Sequence, residues 1–149
     1  MSVTDFSLRR EFQLKKDIEK AHNAFIIFVF LQVLGFVIAL LNGYLTDNFH
    51  LHPEGYIIQI SYLTRYLPAL KSAVFVGSSL LIFSKIQKKP TLYLKIAIAY
   101  VSALSLYQWV FLRFSPINFI IVMGILYFLG KGLFTTLEIN RRKISGLES

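Results

Sequence analysis

The residue types that carry chemistry are few in this chain, and they sit apart. His50 and His52 alternate in one segment, with Asp47 and Glu54 close by. In an extended strand residues i and i+2 point the same way, so His50-x-His52 could chelate a metal. Two histidines in a flexible connection are a thin signal, and solvated side chains are the expected outcome. The third histidine, His22, belongs to a different end of the first apolar stretch, which leaves no facing pair for a haem. No pair of histidines fits H-E-x-x-H. Cysteine is absent, so thiolate catalysis, disulfides, iron–sulfur clusters and cysteine-based zinc sites are excluded. Neither a metal site nor a cofactor is expected.

Gly130-Lys131-Gly132 has the look of a phosphate-binding loop. The pattern G-x-x-x-x-G-K-[ST] fails twice, because Gly124 is one residue too far back and Gly132 replaces the hydroxyl. Lys131 reads better as a side chain snorkelling from the end of an apolar run. Ser72, Ser78, Ser79, Ser102 and Ser105 have no histidine base in reach, although Lys71 adjoins Ser72. They read as small packing residues rather than nucleophiles. Asp5, Glu11, Asp17, Glu19, Asp47, Glu54, Glu138 and Glu148 all lie outside the apolar runs. Proton- and cation-coupled carriers place carboxylates inside the bilayer, which counts against such a carrier here. It also removes the buried acid–base pair of an intramembrane hydrolase. The chain is not expected to be an enzyme.

The elements that hold these residues are apolar helices. Of 149 residues 55% are hydrophobic and 16% charged, and the mean hydropathy is +0.58. Soluble domains carry about 25% charged residues, so a soluble enzyme, a disordered chain and an ordinary nucleic-acid-binding domain are all excluded. Four stretches supply the roughly 20 apolar residues a hydrocarbon core requires: 24–45, 68–86, 91–112 and 116–134. Pro68, Pro90 and Pro116 stand at or just before the last three, where a missing first-turn N–H costs nothing. Ser115 is a credible N-cap for the fourth. The expected fold is an all-α polytopic membrane protein, an up-down bundle of four transmembrane helices forming a single membrane domain over 1–149.

Charge orients the spans. Arg9, Arg10, Lys15, Lys16, Lys20, Lys85, Lys88, Lys89, Lys95, Lys131, Arg141, Arg142 and Lys143 fall on one side if the spans alternate. Arg65, Lys71 and Arg113 fall on the other. The positive-inside rule then places both termini in the cytoplasm, and a multi-pass protein of a bacterial cytoplasmic membrane is expected. The net charge of +8 is mainly this topology signal, with attraction to anionic headgroups as a by-product. About twenty hydrophilic residues come first and no A-x-A-like site follows, so span one is not read as a cleavable signal.

Between the spans, 1–23 reads as a cytoplasmic amphipathic helix that docks on lipid or on a partner. Asp5 to Arg9 and Glu11 to Lys15 are favourable i,i+4 pairs, and Ser2-x-x-Asp5 resembles a capping box. The outer connection, 46–67, is expected to hold an interfacial helix in its second half, from Tyr56 to Leu67. Tyr44, Phe49, Tyr56, Tyr62, Tyr66, Tyr107, Trp109 and Phe114 gather at one level like an aromatic belt. Residues 135–149 form a cytoplasmic tail. Short connections at Gln87–Pro90 and Arg113–Ser115 make the last three spans antiparallel neighbours.

Helices associate in lipid through close packing and hydrogen bonds. Gly35, Ala39 and Gly43 in span one, and Ala69, Ala73 and Gly77 in span two, make small-residue stripes expected to form a packing interface. Span three adds Ala99 and Ala103. Gln108 and Asn118 can meet across the tight hairpin, and Gln32 suits an interhelical bond. Lys71, Lys95, Arg113 and Lys131 are the near-membrane cations, with anionic headgroups or anions as possible contacts.

The expected function is non-enzymatic: a subunit, assembly factor or inhibitor that recognises another membrane protein by helix packing. In size, charge and span pattern the chain resembles immunity proteins against pore-forming bacteriocins. That resemblance lies in hydropathy, and no residue's role is carried over from it. The alternative is a homo-oligomeric channel or transport component, anion- rather than cation-preferring because of its basic rim. Expected partners are the lipid bilayer with its anionic headgroups and another membrane protein or a second copy, with no nucleic acid.

Overall fold

The computed structural model describes residues 3–48, 62–111 and 115–146. Four helices account for nearly all of them: α1 (Val3–Asn48), α2 (Tyr62–Ile86), α3 (Pro90–Phe111) and α4 (Pro116–Ile144). Each is long and apolar enough to cross a membrane, as expected of a multi-pass integral membrane protein.

α1 runs unbroken for 46 residues, about 69 Å at 1.5 Å per residue. From Val3 onward the amphipathic segment runs into the first span as one helix. Turning the first segment flat onto a leaflet would need a break, and Asn23 at the junction supplies none. No proline lies between Val3 and Asn48, and helix propagation is cooperative.

α2 differs from expectation at its start. It begins at Tyr62 and carries Pro68 inside, so the end of the interfacial segment and the second span are continuous. Pro68 forgoes one i→i−4 bond, to the Thr64 carbonyl, and the helix continues through it. Residues 56–61 of the expected interfacial helix lie outside the described residues.

α3 and α4 do start at Pro90 and Pro116. Ser115 has the extended backbone of an N-cap, but its side chain makes no capping bond; its carbonyl accepts from the Phe119 N–H at 3.0 Å. α4 continues ten residues past Phe134, so most of the expected tail is helical. It stops where the Ser145 N–H bonds the Arg141 carbonyl at 3.0 Å and Gly146 takes φ +67°, a left-handed conformation that glycine adopts without strain.

The chain divides into two compact units, 1–28 with 82–149, and 29–81. In the first, Phe25, Ile86, Leu94, Val101 and Leu129 are fully buried. α3 and α4 form an antiparallel hairpin tied near both ends. At one end the Asn118 side-chain amide donates to Gln108 at 3.3 Å, the pairing expected from sequence. At the other, Asn140 donates to Thr91 at 3.0 Å. The second unit comprises α1 from Val29 onward and α2 up to Leu81, with Ala69 buried.

Candidate functional site

Within the second unit the six small residues take different places. A Cβ built on Gly43 would stand 2.9 Å from the Tyr66 ring and 3.5 Å from the Arg65 carbonyl oxygen, so α1 and α2 come close there because Gly43 has no side chain. Ala69 is buried, while Ala39 and Ala73 are half-buried. Gly35 and Gly77 are exposed, and a Cβ on either would meet no heavy atom within 4 Å. The close approach is therefore local. Beside it lies an open groove of about 340 Å³, lined by Gly35, Ile38, Ala39, Asn42, Gly43, Arg65 and Pro68.

The first unit holds a polar clasp that sequence reasoning missed. The continuous α1 runs antiparallel to the last part of α4. Arg10 donates to Glu138 at 2.6 Å, and Arg142 reaches the same carboxylate oxygen at 2.9 Å. Lys131 lies 3.6 Å from Asp17. No acid was expected near Lys131; the unbroken helix carries Asp17 alongside it. Between these pairs Gly132 is buried tightly, since a Cβ there would stand 2.5 Å from the Ala21 Cβ. Thr136 fixes the same turn by donating to the Gly132 carbonyl at 2.8 Å. His22 stacks on Phe83 with centroids 4.4 Å apart. The signal in the sequence was Gly132-x-x-x-Thr136, a small-residue spacing overshadowed by the lysine between the two glycines.

Of the other near-membrane cations, Lys71 and Lys95 are exposed. Arg113, His50, His52 and Glu54 lie outside the described residues. Among the described residues no group of three or more His, Asp or Glu is placed to hold a metal ion. The Ser78 and Ser79 hydroxyls donate to the Val74 and Phe75 carbonyls at 2.8 Å, the back-bonding common for serine in apolar helices. The arrangement is one of close helix contacts, a clasp and a groove, features suited to binding.

Neither a known protein family, nor a curated protein, nor a solved structure matches this chain.

Proposed function

We propose that the protein is a non-enzymatic membrane component that recognises another membrane protein by helix packing, with both chain ends in the cytoplasm of the cell. The observation that carries this reading is Gly77, exposed in the middle of a membrane-spanning helix with open space where a Cβ would stand. Glycine inside a helix costs about 0.8–1.0 kcal/mol relative to alanine, and lipid returns nothing for it. A second helix does, because the missing side chain lets two backbones approach. Ala73, one turn earlier and half-buried, extends the same strip. The cytoplasmic placement rests on the basic residues that flank the spans, and the Arg10–Glu138 pair joins the two ends of the chain.

The test is gentle purification of the tagged full chain from its native membrane, with mass measurement of what accompanies it. A stoichiometric second protein is expected with the wild type. The Cβ of Gly77→Leu would meet no heavy atom within 4 Å, so the variant should fold, checked by far-ultraviolet circular dichroism, and lose that companion. A lone homo-oligomer would move the assignment to a channel, with ion flux in liposomes as its assay. A companion retained equally by Gly77→Leu would reject the packing surface.

A further inference from the structure

Ahead of its first span, α1 has two unlike faces. Toward α4 it places Arg10, Asp17 and the buried Ala21, which meet Glu138, Lys131 and Gly132. On the opposite side Leu8 and Phe12, one helical turn apart, are 65% and 70% exposed. At 3.6 residues per turn, Arg9, Lys15, Lys16, Glu19 and Lys20 fall within about 80° of the Phe12 direction. All five are exposed, and four of them are basic. The acids Glu11 and Asp17 lie further round the helix, and Asp17 is held by Lys131. The positive-inside rule asks for basic residues on one side of the membrane. It does not ask for them on one side of a helix, around an apolar pair.

We propose that this face docks an acidic amphipathic helix of the partner protein. Its apolar side would lie on Leu8 and Phe12, and its carboxylates against Lys15, Lys16 and Lys20. The inference rests on the cytoplasmic placement proposed for the chain ends, and it is independent of Gly77. Charge complementarity selects the occupant: a lysine rim repels a second copy of itself and attracts a rim of carboxylates. Leu8 and Phe12 then serve as the i and i+4 anchors by which one helix holds another. The bilayer that α1 crosses is a poor occupant for reasons of distance. Phe12 stands twelve residues before Ala24, about 18 Å along the axis, while headgroups extend only about 5–8 Å beyond the hydrocarbon on each side. Lys15, Lys16 and Lys20 intervene. α1 is also unbroken, and the Arg10–Glu138 and Asp17–Lys131 pairs keep it alongside α4. Bending it down onto the headgroups would break the helix and both pairs.

The probe is a fluorescein-labelled, amidated peptide of three heptads, each with two leucines on one helix face and glutamates flanking them. It is titrated with the full chain in dodecyl maltoside micelles at low salt and followed by fluorescence anisotropy. Far-ultraviolet circular dichroism checks the fold of each variant. Saturable binding of one peptide per chain is expected. Leu8→Gln with Phe12→Gln should weaken it by about tenfold or more, because two apolar anchors are lost. Lys15→Gln with Lys16→Gln should weaken it at low salt and match the wild type near 1 M salt. Both pairs of changes are at exposed positions, so the fold should hold. Lys88→Gln with Lys89→Gln, exposed at the turn between α2 and α3, should bind like the wild type. A peptide with lysine in place of glutamate should not bind. Equal binding of the lysine peptide, or by the Leu8→Gln, Phe12→Gln chain, would overturn the proposal, as would a folded wild type that binds neither peptide. Displacement by phosphatidylglycerol added to the micelles would make the face a membrane contact instead. Self-association lost in the Leu8→Gln, Phe12→Gln chain would make it a contact between copies. Gly77→Leu should bind the peptide normally, so the packing surface and the docking face fail separately. The placement is read apart from both: the chain has no cysteine, and Phe12→Cys should resist an impermeant maleimide in intact cells. Labelling there would reject the cytoplasmic partner.

Discussion

Gly132→Ala is the perturbation whose outcome depends most directly on the packing of α1 against α4. The new Cβ would stand 2.5 Å from the Ala21 Cβ and 3.4 Å from the Asp17 carbonyl oxygen. Carbon atoms pack best at about 3.5–4.0 Å, so α1 must retreat from α4 by about 1 Å. Alanine has no rotamer in which to escape, and the Asp17 oxygen is backbone. Overpacking of this kind costs about 1–3 kcal/mol. Removing a glycine from a helix interior returns about 0.8–1.0 kcal/mol, which blurs the sign of the single variant. Gly124→Ala resolves this, because it lies on the same helix and its Cβ meets nothing within 4 Å. It takes the propensity gain without the clash. Gly132→Ala should therefore be less stable than Gly124→Ala by about 1–3 kcal/mol, read from reversible unfolding of the full chain in mixed micelles. Adding Ala21→Gly removes the opposing Cβ, and the double variant should recover most of the clash while keeping the cost of one further helical glycine. Equal stability of the two alanine variants would refute the close approach.

Three further outcomes follow from other contacts. Glu138→Gln should cost less than about 1 kcal/mol at low ionic strength and still less near 1 M salt, since Arg10, Glu138 and Arg142 are partly exposed; a loss unchanged by salt would point away from ion pairing. Gln108→Leu and Asn118→Leu should show a coupling of about 0.6 kcal/mol in a double-mutant cycle, and zero coupling would mean the 3.3 Å bond contributes nothing. Gly43→Ala should destabilise the second unit through the Tyr66 ring at 2.9 Å; Tyr66→Ala in the same chain should relieve it, and persistence of the loss would assign it to the Arg65 backbone instead.

The helices were legible in the sequence because hydropathy over about 20 residues is a strong signal in a chain with so few charges. Pro90 and Pro116 marked two helix starts for a local steric reason that needs no tertiary information. Pro68 carried the same signal and marked no boundary, because a proline can be absorbed inside a helix. The Gln108–Asn118 bond was legible too, as a three-residue connection leaves the ends of two spans little choice of neighbour. Asp17–Lys131 and Ala21–Gly132 were not, since they depend on which helix lies beside α4, and periodicity within one helix carries no information about lateral neighbours. The small-residue stripes showed the same limit. Their spacing marked faces where close approach is allowed, while the structure buries Gly43 and Ala69 and leaves Gly35 and Gly77 open.

The Arg10–Glu138 pair spans 128 positions in sequence, and that separation has a consequence for how the protein is made. At about 5–20 residues per second, Glu138 leaves the ribosome roughly 6–26 s after Arg10. For that interval the first part of α1 exists without the helix that fastens it, and Ala21 waits for the turn around Gly132. The first unit is thus closed by the later-synthesised strand of the clasp, so its assembly reports that α4 has been translated and inserted. Nascent chains stopped before Gly132 should remain open to protease near Arg9 and Arg10, and chains extended past Arg142 should be protected there.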